Sequence, residues 1–150
     1  METISFIDFE TNSRLKAKKA FKAFLHYLFQ HEHKTAKEIK IIFCTDEFLL
    51  RLNEKFLHHN FYTDTLTFPF SHGGTEITGE IYISIDRIRE NANKLRIAYQ
   101  TEVKRVIIHS CLHLCGFKDK PKKEAVKMLD KQEEYLSNWL FHVEQKQRFT

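Results

Sequence analysis

The stretch Thr65-Leu66-Thr67-Phe68-Pro69-Phe70-Ser71-His72-Gly73-Gly74-Thr75-Glu76-Ile77-Thr78-Gly79-Glu80-Ile81-Tyr82-Ile83-Ser84 reads as two strands joined by a turn. Thr65 to Phe70 is made of β-branched and aromatic residues that suit a pleated surface. Ser71-His72-Gly73-Gly74 then breaks the run. Beyond it Ile77, Gly79, Ile81 and Ile83 alternate with polar or amphipathic residues, the period of a strand with one buried face. The two strands are predicted to form a hairpin or to lie as near neighbours in one sheet. Pro69 has no backbone N–H, so its strand is expected at a sheet edge or to terminate there. Thr63 and Asp64 are expected first to shape the turn into this strand and second to line a cleft.

Outward from this hairpin, strand and helix periods alternate. Ile4 to Phe9 alternates weakly and Ile39 to Cys44 is a short apolar run; both read as strands. Asn12 and Ser13 are candidate caps for a helix with the stripe Ala17, Phe21, Phe24, Leu25 and Leu28. Asp46 is expected to cap a helix carrying Phe48, Leu49, Leu52 and Phe56, and Asp86 one carrying Ile88, Ala92 and Leu95. A fourth helix runs from about Gln100 to Cys115, with Val103, Val106, Ile107 and Leu114, and Gly116 is a natural stop. Pro121 opens a last helix with Ala125, Met128, Leu129, Leu136 and Trp139 or Leu140. Four strands and five helices, with no repeat or Gly/Ser/Pro-rich linker, predict one α+β layered domain over residues 1–150.

Composition agrees with long regular elements: 14 phenylalanines stand against 4 glycines and 2 prolines. The net charge of +4 is compatible with a phosphate-bearing partner without being its footprint. No apolar run approaches the ~18–20 residues of a membrane span, so no membrane association is expected. Met1-Glu2-Thr3-Ile4-Ser5 lacks the basic-then-apolar pattern of a signal peptide. Three cysteines, Cys44, Cys111 and Cys115, are odd in number and suggest no disulfide framework. The expected location is the cytoplasm.

Chemistry concentrates in Val106-Ile107-Ile108-His109-Ser110-Cys111-Leu112-His113-Leu114-Cys115-Gly116-Phe117-Lys118-Asp119. At roughly 100° per residue, His109 and His113 stand about 40° apart on one helix face, so two imidazoles can reach one ion. Once Gly116 stops the helix, Asp119 can turn back as a third ligand. Three protein ligands with a position left open is the pattern of a catalytic site that activates a bound water. Spacing alone leaves rivals standing. The histidines equally fit satisfied core or surface positions, and Asp119, two residues before Pro121, fits a helix N-cap. Cys111 and Cys115 fall about 200° and 240° around the wheel from His109, which makes them small buried hydrophobes rather than ligands. Ser110 stands where a zinc peptidase helix of the H-E-x-x-H type needs glutamate, which argues against a peptidase.

This segment resembles the hallmark of the YbeY family, H-G-x-L-H-L-x-G-Y-D-H, matched in register by His109 through Asp119. Two further blocks of that family read roughly L-N-x-x-Y-R, then T-D-V-L-S-F-P-F, and G-D-I-x-I-S. Leu52-Asn53-Glu54-Lys55-Phe56-Leu57, then Thr63 to Phe70, and Gly79-Glu80-Ile81-Tyr82-Ile83-Ser84 follow them in order. The joint match spans about Leu52 to Asp119.

The resemblance implies a single-strand-specific, metal-dependent endoribonuclease in ribosomal RNA maturation, acting on small-subunit rRNA and in ribosome quality control. Its partners would be ribosomal RNA and components of the small ribosomal subunit. It implies His109, His113 and Asp119 as ligands of one zinc ion, or of another divalent metal, with no catalytic group assigned beyond the metal-bound water. Asp119 stands in place of a third histidine. Leu57 stands in place of an arginine thought to hold phosphate, Ser110 of a glycine and Glu80 of an aspartate. Lys118, Lys120, Lys122 and Lys123, beside the ligand set, are the candidate RNA-binding cations. The alternative is a metal-stabilised ribosome-assembly factor that binds RNA or ribosomal protein without cutting.

Overall fold

The computed structural model describes residues 3–59 and 63–144. Residues 1–2 of the N-terminal reading, and 1–2, 60–62 and 145–150 of the span 1–150, therefore lie outside the described residues.

Four strands form one mixed sheet in the order β1-β2-β4-β3. They are β1 (Ile4–Asp8), β2 (Thr35–Cys44), β3 (Thr65–Pro69) and β4 (Glu76–Ser84). β1 pairs with β2, and β2 with β4, in parallel; β3 and β4 form the expected antiparallel hairpin. β3 is an edge strand and Pro69 its last residue, as its missing donor requires. β2 starts at Thr35, four residues before the apolar run, because Thr35 and Ala36 pair with Glu76 and Ile77 at the start of β4.

Five helices connect and cover the sheet: α1 (Lys18–His31), α2 (Asp46–Leu57), α3 (Ile85–Leu95), α4 (Tyr99–Leu114) and α5 (Lys122–Asn138), followed by a π-helical turn, Trp139–Glu144. The α+β expectation holds. Period-2 alternation sends Ile77, Ile81 and Ile83 of β4 into the main core with Ile39, Ile41 and Phe43 of β2. On the opposite face Tyr82 joins a small cluster with Leu49, Leu66, Phe48, Leu52 and Phe68.

α4 is the central helix, in contact with β3, β4, α1, α3 and α5. That surround explains why more of it is buried than a single stripe: Ile108, Cys111 and Leu112 are enclosed along with Val103, Val106, Ile107 and Leu114. The helix ends in a Schellman motif. Phe117 N–H donates to Leu112 O at 3.1 Å and Gly116 N–H to His113 O at 3.0 Å, while Gly116 takes φ +106°.

Several caps differ from expectation. The residue capping α1 is Ala17, in the left-handed region with no side-chain bond. Asn12 and Ser13 instead accept from the backbone N–H of Arg14 and Leu15 in local turns. Thr45 caps α2 and Ser84 caps α3, each accepting a bond from the third residue of its helix. Asp46 and Asp86 sit just inside, in the first turns, where their charge suits the helix dipole. On α5 the buried stripe is Met128, Gln132, Tyr135 and Leu136, while Leu129 is exposed.

Candidate metal centre

The last turn of α4 presents His109 and His113 on one face, with ring centroids 5.1 Å apart and planes at 82°. The Schellman stop reverses the chain, and Asp119 comes back over that face. Its Oδ2 accepts from His113 Nε2 at 2.7 Å and its Oδ1 lies 3.6 Å from His109 Nε2. One donor atom from each of the three residues lies within 4.8 Å of the other two. Asp119 does not cap α5: the cap position is Pro121, and no side chain bonds there. The capping alternative is thus excluded by geometry.

The three residues form one wall of a cavity of about 430 Å³. The opposite wall is Thr63, Asp64, Thr65, Leu66, Thr67 and Pro69, from β3 and the residues leading into it. Thr63 and Asp64 therefore line the cleft directly, beyond the turn-shaping role expected first. Burial pushes the Asp64 carboxyl above the usual carboxylate range, opposed by the nearby His109 and Arg105. Asn91 Nδ2 stands 3.5 Å from both Asp64 and the fully buried Glu102, and Arg105 holds Glu102 through two bonds of 2.7 Å. Ser110, buried on α4, donates to Val106 O and lies 3.0 Å from Thr65 Oγ1, tying the two walls together.

Behind His109 lies a residue that sequence reading missed. Gln132 of α5 is 1% exposed, and its Oε1 accepts from His109 Nδ1 at 2.7 Å. Its signal in sequence is a polar side chain four residues from both Met128 and Leu136, on the stripe that faces the core.

Other expectations fall away from the cleft. Cys111 is buried, and burial raises the Cys44 and Cys115 thiols to about 12, so these sulfurs behave as apolar side chains. Lys118, Lys120, Lys122 and Lys123 are exposed on the loop after α4 and the start of α5, and none lines the cavity. Leu57 closes α2, exposed, and does not line it either.

Residues 6–140 match the family model described as Endoribonuclease YbeY. This chain belongs to the YbeY family. Endoribonuclease YbeY of Flavobacterium psychrophilum is 40% identical over 95% of this chain and 99% of its own length. That of Flavobacterium johnsoniae is 38% identical over 92% and 97%. A solution structure of a Thermotoga maritima protein superposes with a TM-score of 0.65 at 26% identity, covering 91% of this chain and 89% of that one. The three-block resemblance is thereby confirmed, and with it the expectation of a nuclease family. Of the departures from the YbeY motifs, Ser110 braces the cleft, Asp119 faces both histidines, and Leu57 lies at the end of α2 away from the cleft lining. Among the described residues, no helix is long and apolar enough to cross a membrane.

Proposed function

We propose that this chain is a metal-dependent endoribonuclease that cuts single-stranded RNA in small-subunit rRNA maturation and in ribosome quality control, residues 1–150 working as one cytoplasmic domain. The observation that carries this reading is the convergence of His109, His113 and Asp119 within 4.8 Å at one wall of the cleft. Two imidazoles and one carboxylate are a donor set suited to zinc, with other divalent metals as competitors. One zinc ion per chain is the cofactor we assign. When bound, it supplies Lewis acidity toward a phosphoryl oxygen.

The chain itself supplies the frame. Thr63, Thr65 and Thr67 line the cleft with the ligand set. The hydroxyls of Thr63 and Thr65 are engaged by Thr65 O and Ser110 Oγ, so Thr67 is the hydroxyl offered to a phosphate oxygen. Asp64, steadied by Asn91, adds a carboxylate that orients a hydroxyl or water in the cleft. Lys118, Lys120, Lys122 and Lys123, beside Asp119, neutralise the RNA backbone outside it.

One observation favours the non-cutting assembly factor: no Lys or Arg is among the described residues lining the cleft. A single experiment separates the readings. Precursor small-subunit rRNA is incubated with wild type and His113→Ala, each with and without zinc. Cutting by zinc-loaded wild type alone supports the nuclease. Equal cutting by His113→Ala contradicts it, and RNA binding that survives a chelator without any cutting decides for the assembly factor.

A further inference from the structure

Gln132 occupies a position where the core would accept an aliphatic side chain. It lies on the α5 stripe between Met128 and Leu136 and is 1% exposed. Its amide makes two bonds. Oε1 lies 2.7 Å from His109 Nδ1, and Nε2 lies 3.1 Å from Glu133 Oε1.

The second bond fixes the direction of the first. An ionised carboxylate only accepts, so the side of the amide facing Glu133 must be the NH2 group. The side facing His109 is then the carbonyl oxygen, which also only accepts. Nδ1 of His109 must carry the hydrogen. In a neutral imidazole the remaining nitrogen, Nε2, then holds the free lone pair. That atom is the one directed at Asp119, 3.6 Å from Oδ1.

The two histidines are therefore not equivalent. His113 directs its Nε2 to Asp119 Oδ2 at 2.7 Å, so in this arrangement that nitrogen is the donor. His109 is preset for ligation, and His113 is not. Reversing the His109 tautomer would set an imidazole lone pair against the buried amide oxygen of Gln132. A buried acceptor left without a donor is disfavoured, and this holds the ring in one state.

We infer that Gln132 is a positioning residue that locks His109 as the Nδ1–H tautomer and aims its Nε2 lone pair at the metal position; the inference rests on the metal reading proposed above. Outer partners of this kind orient ligating imidazoles and raise their basicity. Gln132 touches neither substrate nor ion. Its effect passes through His109 alone.

The test has two readouts on metal-free and zinc-titrated protein. Long-range 1H–15N spectra of the imidazoles, recorded at mildly alkaline pH, report which nitrogen of His109 carries hydrogen. Competition with a chromogenic chelator reports zinc affinity. In wild type His109 is expected as Nδ1–H. Gln132→Met, of similar volume without the acceptor, should populate Nε2–H and bind zinc about 10–100-fold more weakly. Gln132→Glu, which keeps the acceptor, should restore Nδ1–H and zinc binding. Wild type with Nε2–H at His109 overturns the inference without any variant, as does folded Gln132→Met with unchanged tautomer and affinity. Wild type that shows Nδ1–H but binds no zinc overturns the metal reading and leaves the tautomer assignment standing, so the two failures are separable.

Discussion

Gly79 on β4 lies directly beneath Leu114, the last residue of α4: a Cβ at position 79 would stand 3.0 Å from Leu114 Cδ2 and 2.8 Å from the Phe68 carbonyl oxygen. Bare backbone at this point lets the turn of α4 that bears His113 settle against the β3–β4 hairpin. The close approach seats the end of α4 against the hairpin whose β3 forms the other wall of the cleft.

Gly79→Ala should therefore lower stability by roughly 1–3 kcal/mol, because a backbone oxygen cannot step aside as a side-chain tip can. Urea denaturation measures the loss. Stability equal to wild type would show that β3 yields freely and that the close approach does not seat α4 on the hairpin.

Lys104 makes a different kind of demand on α4. It is 1% exposed, donates to Gln100 Oε1 at 3.1 Å and lies over the rings of Phe21 and Trp139 at 5.8 and 5.7 Å. Burial pushes its pKa down from 10.5 to about 8, with Lys16 adding to the shift and Glu144 opposing it. The folded protein thus disfavours the charged amine. That cost is fully present below about pH 8 and fades as pH rises toward 10.5. Lys104→Met should stabilise the protein at pH 7 by about 1–3 kcal/mol and flatten the rise in stability above pH 8. Thermal melts across pH 6–10 check this, and a destabilised Lys104→Met would show that the ring and amide contacts outweigh burial.

Most of the architecture was readable because the periods are clean. Ile77-Gly79-Ile81-Ile83 alternates as a half-buried strand must, Gly116 stops α4, and Pro69 marks an edge. Sheet order was not readable, since pairing of β2 between β1 and β4 is decided by contacts far apart in the chain. The caps were misread where a good capping residue stood near a better-placed one: Asp46 beside Thr45, Asp86 near Ser84. Asn12 and Ser13 failed for another reason, because Arg14 and Ala17 both take positive φ and delay the helix. At the site, spacing could bring His109 and His113 together, but only the reversal after Gly116 distinguishes Asp119 as their neighbour from Asp119 as a cap. Gln132 was hidden because a glutamine on a helix reads as surface until its stripe is followed inward.

The cysteines give a negative control. With their thiols raised by burial, Cys111→Ala and Cys115→Ala should leave zinc affinity unchanged within about twofold, at the stability cost of small core truncations. Chelator competition is the measurement. A loss of zinc in either variant would place a sulfur in the ligand set, against the helix geometry.

Asp119→His sets a third imidazole where the resemblance to the YbeY motif implies one. Neutral in place of anionic, it leaves more positive charge on the bound ion and should make that ion a stronger Lewis acid. Cleavage of precursor rRNA by this variant should equal or exceed wild type, whereas Asp119→Ala should be defective. A loss with histidine as severe as with alanine would mean that the loop after α4 has adapted to a carboxylate alone.

The most direct measurement is metal content by mass spectrometry of purified, exhaustively dialysed protein, for wild type, His109→Ala, His113→Ala and Asp119→Ala, each confirmed as folded. Wild type should carry one zinc per chain after reconstitution, and each variant should hold a small fraction of that. Full occupancy in all three variants, or none in wild type, would contradict the account.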